Sequence, residues 1–587
     1  MRRLPVLLTL VAVSASVVTA ASAAKPGAAP RGKAPTGKPA VTAGAPFDYV
    51  KQLPKLSKPR FETVRETAFI TSPLDGTQLY AEIVRPKAAG RFPVVLELSP
   101  YHATLADRDG TRIFPGPEDD DGKKLGLTGY FGPRGYAVVM VDLRGTGQSG
   151  GCLDHMGKKD QADAKAVVEW AASRTWSSGR VGMTGHSYVG STPQMAAAQN
   201  PKGLVTIVPS AGLAAMYHHE FQDGVPYNLQ WAGPLFAYEQ LALQRHLPSQ
   251  LGQGYGDDFG NNLTSTGCGA TQSAAVTGEA YASGQEVAWH RDRDFRKGVT
   301  AWKGSVFAVH GVNDNAARIA ALDWFHARGG RAGDKAWIGQ WDHGSGCCPN
   351  RRGHQWTAAL HAWFDKHLAQ RKGVNTGPPA EIFMNDERVL TAKAWPPAPS
   401  RRLTLVANVN GTLEPKAISD GGQVDYVADA RGFSSEGNTG KAMFVTAPQA
   451  KDLLLAGLPT LKLVVSVGGE RIHILGTLYD VAPDGTRDRI SMSGFAIQPE
   501  LRDGLETLSP VVPLQAMTIP LVGQAQAHVV KKGHRIALDI SSSHPDKVPT
   551  FAAGALIRVL TGPQGSALSL PVLDGATLYR DVDTGEE

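Results

Sequence analysis

One stretch of the chain places a serine where a nucleophile would be needed. Residues 180–190 read RVGMTGHSYVG, and a run rich in Ala and Met follows. In a strand–turn–helix element of this kind, the serine hydroxyl is exposed at a helix N-terminus, where an oxyanion is stabilised. The usual G-x-S-x-G spacing is not met, because Val189 takes the last position and Gly190 comes one later. Ser187 is therefore predicted to be a nucleophile, and the alternative is a structural serine in a tight turn.

A nucleophilic serine needs a histidine base and an orienting acid, each on a loop that follows a strand. The predicted strand Ser305–His310 leads to Asp314, and the next strand, Ala336–Ile338, leads to His343. The other candidates lie in helical stretches, in loops without a preceding strand, at the wrong end of a strand or directly beside His343. They are His326, His354, His361 and His367 for the base, and Asp323, Asp334 and Asp342 for the acid. The predicted triad is Ser187, Asp314 and His343.

A second glycine motif would indicate a different class of enzyme. Residues 145–150 read GTGQSG after a predicted strand, which matches the dinucleotide-binding pattern. The following residues do not open an apolar-periodic helix, and no second strand ends in an acid at the distance that ribose binding requires. We therefore interpret the segment as a loop that flanks the site, with Asp142 and Arg144 as a structural pair.

The elements needed to position the triad define the domains. Short Val-rich runs alternate with helical patterns over residues 46–375, which is typical of a parallel α/β sheet with helices on both faces. The alternation stops at about residues 212–300, a stretch rich in aromatic residues that we interpret as an inserted, mostly helical cap. Many short alternating runs fill residues 376–587 and predict an all-β sandwich, with a barrel as the alternative.

The N-terminus has the features of an export signal. Residues 1–23 combine a basic start, an apolar run too short for a bilayer span and an Ala-x-Ala site, and residues 24–45 form a Pro-, Ala- and Gly-rich tail. We expect a secreted protein with a disordered tail. The formal net charge is +6, but the first 45 residues hold six basic residues and no acid, so residues 46–587 are neutral. This balance argues against a nucleic-acid partner.

Four cysteines in an exported chain permit two disulfides. Their spacing fits no zinc site. We favour a bond from Cys268 to Cys347 or Cys348, with free thiols as the alternative.

Several segments together resemble the Xaa-Pro dipeptidyl-peptidase and cocaine-esterase family of serine hydrolases, the CocE/NonD hydrolases. The resemblance covers residues 60–580, and its motifs lie at Ser99–Tyr101 and at residues 142–150, 176–179, 185–190, 289–294, 311–314 and 341–344. It implies an α/β-hydrolase core with an inserted helical cap and a jelly-roll sandwich domain. It also implies the same triad, with an oxyanion hole formed by the Tyr101 hydroxyl and the backbone N–H of Tyr188.

The resemblance implies a hydrolase that acts through an acyl-enzyme on a small peptide or ester, without a metal or cofactor. We expect removal of N-terminal Xaa-Pro dipeptides. The alternatives are a carboxylesterase or amino-acid ester hydrolase, and an inactive binding protein. The cap residues Glu220, Asp223, Tyr227 and Trp231 are candidates for substrate binding, the two acids for a substrate ammonium group. No membrane partner is expected after signal cleavage, and homo-oligomerisation is left open.

Overall fold

The computed structural model describes most of the chain after residue 43. It describes residues 44–102, 117, 123, 125–227, 283–343, 353–429, 440–492, 494–547 and 550–582, which belong to one compact unit. The predicted signal peptide, nearly all of the predicted tail and residues 228–282 of the predicted cap lie outside these ranges. Within these ranges, no helix is long and apolar enough to cross a bilayer.

The N-terminal part of the chain alternates strands and helices. The strands are β1 (Thr63–Thr71), β2 (Gln78–Pro86), β3 (Phe92–Ser99), β4 (Ala137–Asp142), β5 (Ser177–His186), β6 (Leu204–Ser210), β7 (Phe221–Gln222), β8 (Val225–Pro226), β9 (Ser305–Gly311), β10 (Lys335–Gly339), β11 (Ala380–Phe383) and β12 (Arg388–Ala392). The helices are α1 (Gly126–Phe131), α2 (Lys158–Ser173), α3 (Tyr188–Ala198), α4 (Tyr217–Glu220), α5 (Ala288–Arg291), α6 (Arg296–Ala301), α7 (Asp323–Ala327) and α8 (Gly353–His367). Short 3-10 helices span Val50–Lys55, Gly132–Arg134 and Ile319–Leu322.

Eleven strands form one large sheet, in the order β1-β2-β4-β3-β5-β6-β9-β10-β11-β12 followed by the short strand Tyr579–Arg580. The central strands from β4 to β11 run parallel, and the edge strands are antiparallel. Successive side chains of a strand point to opposite faces. Accordingly, Val94 and Leu96 pack in a cluster with α2 and α3, whereas Val95 packs in another with α8. Helices therefore cover both faces of the sheet.

The rest of the chain forms two facing β-sheets. The nine-stranded sheet contains β13 (Arg401–Ala407), β14 (Leu413–Glu414), β15 (Gly422–Val427), β17 (Leu453–Gly457), β18 (Thr460–Val467), β22 (Met517–Val522), β23 (Gln526–Val530), β25 (Leu556–Thr561) and β26 (Ala567–Val572). The five-stranded sheet contains β16 (Lys441–Val445), β19 (Ile474–Val481), β20 (Arg487–Arg489), β21 (Phe495–Ile497) and β24 (Arg535–Ser541), and a 3-10 helix spans Pro499–Leu501. Leucines of both sheets, Leu463 and Leu538 among them, share one buried cluster, as in a sandwich.

The predicted α/β-hydrolase core and all-β domain are confirmed, whereas the jelly-roll strand order stays a prediction. The predicted boundary at residue 375 stays a prediction. Strands β11 and β12, which follow it, continue the hydrolase sheet, and the last strand, β27 (Tyr579–Arg580), pairs with β12. The described ends of the cap hold short helices together with the β7–β8 hairpin, which the sequence did not predict.

Candidate active site

A sharp turn carries Ser187 from the end of β5 to the start of α3. Its backbone has φ 63° and ψ −126°, a conformation that persists only where the surroundings impose it. The glycines on either side of it are closely packed. A Cβ on Gly185 would lie 2.3 Å from Val189 Cγ1, and a Cβ on Gly190 would lie 2.1 Å from the carbonyl oxygen of Ser210. The displaced glycine of the sequence motif is thus required where α3 meets the end of β6.

The three predicted triad residues meet at the carboxyl ends of the parallel strands. His343, on the loop after β10, has its Nε2 2.8 Å from Ser187 Oγ. Its Nδ1 lies 2.9 Å from Oδ2 of Asp314, which follows β9 and is fully buried. With the Nδ1–H donated to this carboxylate, Nε2 is left to accept the serine proton. The geometry is that of a nucleophile, a base and an orienting acid.

Electrostatics favour a protonatable His343 beside an ionised Asp314. Burial opposes the charged imidazolium, but the charge and the hydrogen bond of Asp314 prevail and raise the pKa of His343. Burial also opposes the Asp314 carboxylate, and here the charge and hydrogen bond of His343 keep the pKa of Asp314 below its ordinary value. Arg318 acts in the opposite direction to Asp314 and lowers the pKa of His343.

His186 is a neighbour of the triad that sequence analysis did not single out, although it directly precedes Ser187. Its ring centroid lies 4.8 Å from that of His343, and its Nε2 lies 3.3 Å from the His343 carbonyl oxygen. Burial, followed by the proximity of His343, lowers the pKa of His186 to about 3. A neutral His186 therefore packs against the imidazole of His343 without adding a charge.

The two residues predicted for the oxyanion hole lie in the same buried cluster. Tyr188 is the first residue of α3, so its backbone N–H belongs to the first helical turn, whose amides point out of the helix. Its hydroxyl donates to Asp160 Oδ2 over 3.1 Å and fixes this turn against α2. Tyr101 follows β3, and its backbone N–H donates to Ser99 Oγ over 3.0 Å. The role of its hydroxyl stays a prediction.

Three of the four predicted substrate-binding residues are described, and they lie where the cap meets the β domain. Glu220 is 1% exposed, and its Oε2 lies 3.0 Å from His290 Nε2. Asp223 sits in the turn between β7 and β8, and its carbonyl oxygen accepts a hydrogen bond from the Gln498 backbone. Tyr227 is buried, with Arg318 Cζ 4.0 Å and Lys547 Nζ 3.4 Å from its ring centroid. Trp231 lies outside the described residues. The buried His290 partner makes Glu220 a less accessible site for a substrate ammonium than its sequence position indicated.

The predicted pairing of Asp142 with Arg144 is wrong. Asp142 Oδ1 lies 3.2 Å from Nδ1 of His102, and Arg144 Nε donates to Asp163 over 2.7 Å. Arg144 also reaches Asp75 in the β1–β2 turn. The glycine-rich loop is therefore anchored on both sides by separate ion pairs, contacts between distant residues that local sequence cannot indicate.

Cys152 forms a disulfide. The other three cysteines, and with them the favoured bond from Cys268 to Cys347 or Cys348, lie outside the described residues. Where side chains are described, no group of three or more His, Cys, Asp or Glu residues is arranged to hold a metal ion.

Two family models match the chain in succession. Residues 75–345 match the X-Pro dipeptidyl-peptidase (S15 family), and residues 372–562 match the X-Pro dipeptidyl-peptidase C-terminal non-catalytic domain. A Streptomyces avermitilis protein that carries the name of an Xaa-Pro dipeptidyl-peptidase is 27% identical, with 87% of each chain covered. The cocaine esterase of a Rhodococcus strain is 35% identical over 144 residues, which are 24% of this chain and 23% of that protein.

The fold is also that of a solved relative. A CocE/NonD family hydrolase from Staphylococcus aureus superimposes with a TM-score of 0.69 at 18% identity, covering 87% of this chain and 94% of its own. The match of residues 75–345 to the S15 family model includes the strand–turn–helix element and both loops that carry Asp314 and His343. The chain belongs to the Xaa-Pro dipeptidyl-peptidase and cocaine-esterase (CocE/NonD) family of serine hydrolases.

Proposed function

We propose that the protein removes N-terminal Xaa-Pro dipeptides through an acyl-enzyme formed on Ser187. The observation that carries the acyl-enzyme chemistry is the continuous chain of hydrogen bonds from Ser187 through His343 to Asp314. His343 takes the serine proton as Oγ attacks the scissile carbonyl, and Asp314 holds the imidazole tautomer and stabilises the imidazolium. His343 then returns the proton to the leaving amine, and water attacks the acyl-enzyme by the same route.

The transition state requires donors for the oxyanion. The backbone N–H of Tyr188 and the hydroxyl of Tyr101 fill this role in the proposed mechanism. The helix dipole of α3 adds a favourable potential, because its N-terminus faces the reacting oxygen. The buried Tyr188 hydroxyl, bound to Asp160, keeps this amide in place.

The substrate class rests on the relatives. Both family models describe X-Pro dipeptidyl-peptidases and together span residues 75–345 and 372–562. The alternative is a carboxylesterase or amino-acid ester hydrolase, which the local 35% identity to a cocaine esterase favours. The two activities share the acyl-enzyme chemistry and differ in the leaving group and in the need to bind a free ammonium.

Parallel turnover of Ala-Pro-p-nitroanilide, Gly-Phe-p-nitroanilide and p-nitrophenyl butyrate separates these activities. A dipeptidyl-peptidase cleaves the first substrate with a kcat/KM well above that for the second. An esterase cleaves p-nitrophenyl butyrate efficiently and leaves both p-nitroanilides nearly uncleaved. If none of the three is cleaved and a fluorophosphonate probe does not label Ser187, the protein is not an active serine hydrolase and the binding-protein hypothesis is favoured.

Ser187→Ala tests the nucleophile in the same assays. The change removes one oxygen and should lower kcat by more than about a thousandfold, because loss of the triad serine removes the covalent route. The melting temperature should be unchanged, which a thermal unfolding curve measures. Residual activity above this level would assign the nucleophile to another residue.

We also propose that the protein is exported. The basic, apolar and Ala-x-Ala segments of residues 1–23 support cleavage after Ala23, and the disulfide at Cys152 suits an oxidising compartment. N-terminal sequencing of protein from the culture medium should begin at Ala24. A cell-retained protein with an intact N-terminus would contradict this proposal.

A further inference from the structure

A buried arginine lies on the loop that carries the predicted triad acid. Arg318 is 2% exposed and precedes the 3-10 helix Ile319–Leu322. Its Nη1 donates to the carbonyl oxygen of Ala316 over 3.0 Å. Its Cζ lies 4.0 Å from the ring centroid of Tyr227 in the cap, within cation–π range.

The β domain supplies the countercharge. Asp546, between β24 and β25, has its Oδ2 3.6 Å from Arg318 Nη2, and its side chain is 8% exposed. His544 and Lys547 flank it. Burial opposes the Asp546 carboxylate, but the charge and hydrogen bond of His544, followed by the charges of Lys547 and Arg318, hold the pKa of Asp546 far below its ordinary value. Burial lowers the pKa of Lys547, whereas an arginine keeps its charge. An ionised Asp546 therefore faces Arg318 across the boundary between the two domains.

The residue after Asp546, Lys547, makes a second set of contacts between the β domain and the cap. Lys547 Nζ lies 3.4 Å from the ring centroid of Tyr227 and donates to Gln222 Oε1 over 2.8 Å. The backbones of Lys547 and Tyr227 also form an isolated β-bridge. These contacts hold the segment that contains Asp546 against the cap.

Short contacts connect Arg318 to the triad. The backbone N–H groups of Ala316 and Ala317 both donate to Asp314 Oδ1 over 2.8 Å. The carbonyl oxygen of Ala316 is the acceptor of Arg318. The turn that orients the Asp314 carboxylate is therefore held on its other side by the guanidinium. A displacement of this turn would move Oδ2 away from His343 Nδ1.

Arg318 also acts on His343 through its charge. Several titratable groups surround this imidazole: Asp314 and Asp342, whose charges favour its protonation, Arg318, which opposes it, and the histidines His186, His219 and His310. Burial lowers the pKa of each of these three histidines, so that they add no charge near neutral pH. Arg318 is thus the cation that offsets the two acids.

We propose that Arg318 is a positioning residue for Asp314 and that Asp546 of the β domain holds it in place. The C-terminal domain then sets the activity of the hydrolase site through one buried ion pair. This inference rests on the proposed roles of Ser187, Asp314 and His343. Its alternative is an ion pair that only joins the two domains and has no effect on the triad.

Two variants with opposite charge effects test the proposal. Arg318→Met removes the cation, and Asp546→Asn removes the countercharge. The matched control is Asp334→Asn, which breaks the buried Arg328–Asp334 pair, with 2.7 Å between Nε and Oδ2, away from the triad. The readouts are the melting temperature, the fraction of protein labelled by a fluorophosphonate probe, and kcat and KM from pH 5 to 9 for the best substrate of the panel.

The acid limb of kcat/KM reports the pKa of the free enzyme's base. With Arg318→Met we expect its midpoint to rise by about half a pH unit, and with Asp546→Asn to fall by a similar amount, as for one charge near a buried imidazole. Both variants should lower kcat per labelled site about tenfold or more with little change in KM, because the acid is misplaced. The control should lower the melting temperature and leave the midpoint unchanged.

Unchanged midpoints and unchanged kcat per labelled site in both variants would overturn the proposal. If Arg318→Met does not fold, Arg318→Lys replaces it: this variant keeps the charge and loses the planar contacts, so we expect a wild-type midpoint and a lower kcat. A wild-type kcat in Arg318→Lys together with an unshifted midpoint in Asp546→Asn would then overturn it. Failure of the wild-type enzyme to label at Ser187 would instead contradict the proposed function.

Discussion

The oxygen of Ser187 is placed by its backbone more than by its side chain. A positive φ and an adjacent helix N-terminus direct Oγ at His343, whose other nitrogen is fixed by a buried carboxylate. The strain of such a residue costs of order 1–3 kcal/mol and is maintained by the surrounding packing. Substitutions at Ser187 should therefore change the catalytic step, whereas substitutions of the residues packed around it should change the conformation of the turn.

Tyr101→Phe tests the proposed second oxyanion donor. Removal of this hydroxyl should lower kcat by roughly ten- to a thousandfold, as for loss of one oxyanion-hole donor. The ring remains, so the melting temperature should change little. Steady-state kinetics on the preferred substrate measure the effect, and an unchanged kcat would remove Tyr101 from the mechanism.

His102, the residue after Tyr101, is clamped between two buried acids. Its Nε2 lies 3.0 Å from Glu97 Oε1 and its Nδ1 3.2 Å from Asp142 Oδ1, so it joins the ends of β3 and β4. Burial opposes protonation, but the hydrogen bonds to Asp142 and Glu97 and their charges raise the pKa of His102 to about 9. The imidazole is therefore a cation at neutral pH and a charged anchor for the start of the Tyr101 loop.

This anchor predicts a specific loss of stability at alkaline pH. Because the folded-state pKa of about 9 exceeds the unfolded value of about 6.5, the contribution of His102 is full below pH 6.5 and is lost as the pH rises through 9. It amounts to roughly 3 kcal/mol at most. His102→Gln should therefore lose less melting temperature between pH 7 and 9.5 than the wild type. Parallel curves for the two proteins would show that His102 is not charged.

At the scale of the element, the turn between β5 and α3 depends on close backbone packing. Gly190 lies in the first turn of α3 and faces the carbonyl oxygen of Ser210 at the end of β6. The nearest atoms to an added Cβ, the carbonyl oxygens of Ser210 and Gly185, belong to the backbone, so a methyl group could be accommodated only if the helix shifted. Such a shift would move Ser187 relative to His343.

Gly190→Ala should consequently reduce both stability and activity. Overpacking of a rigid site costs typically 1–3 kcal/mol, and misplacement of the nucleophile should lower kcat at least tenfold. Gly129→Ala in α1 is the control, because an added Cβ there makes only an ordinary 3.5 Å contact with Leu125 Cβ. Thermal unfolding and fluorophosphonate labelling rates measure the two effects. Equal behaviour of the two variants would mean that α3 can adjust.

Sequence predicted the elements that carry the triad because each has a clear local signal. Val-rich runs marked β3, β4 and β9, and the residues just after β9 and β10 were the natural sites for an acid and a base. Strand β11 was missed because Glu381 interrupts its four residues. In the structure this buried acid accepts a hydrogen bond from Trp337 Nε1 over 2.6 Å and pairs with Lys335. Only tertiary contacts make a buried glutamate compatible with the strand.

At the scale of the whole molecule, the two domains are joined by a common apolar core as well as by the ion pair between Arg318 and Asp546. Leu454 and Ala456 of β17 and Val529 of β23 belong to the same buried cluster as the central hydrolase strands. The backbone N–H of Val529 donates to Asn385 Oδ1 over 2.7 Å, beside the β11–β12 hairpin. These contacts join residues far apart in the chain, and no local pattern in the sequence could have indicated the partner of Arg318.

This shared core predicts that the hydrolase part cannot function alone. A chain that ends at residue 399 keeps β11 and β12 but loses the strand that pairs with β12, the apolar side chains of β17 and β23, and the countercharge of Arg318. Exposure of such an apolar surface favours aggregation, and the loss of the ion pair between Asp546 and Arg318 adds to the cost. We expect residues 44–399 to be insoluble, or soluble but not labelled by a fluorophosphonate probe. Co-expression with residues 400–587 should restore labelling, because the missing contacts are non-covalent. If residues 44–399 alone are soluble and labelled at the wild-type rate, the β domain is dispensable for the fold and for the positioning of Ser187.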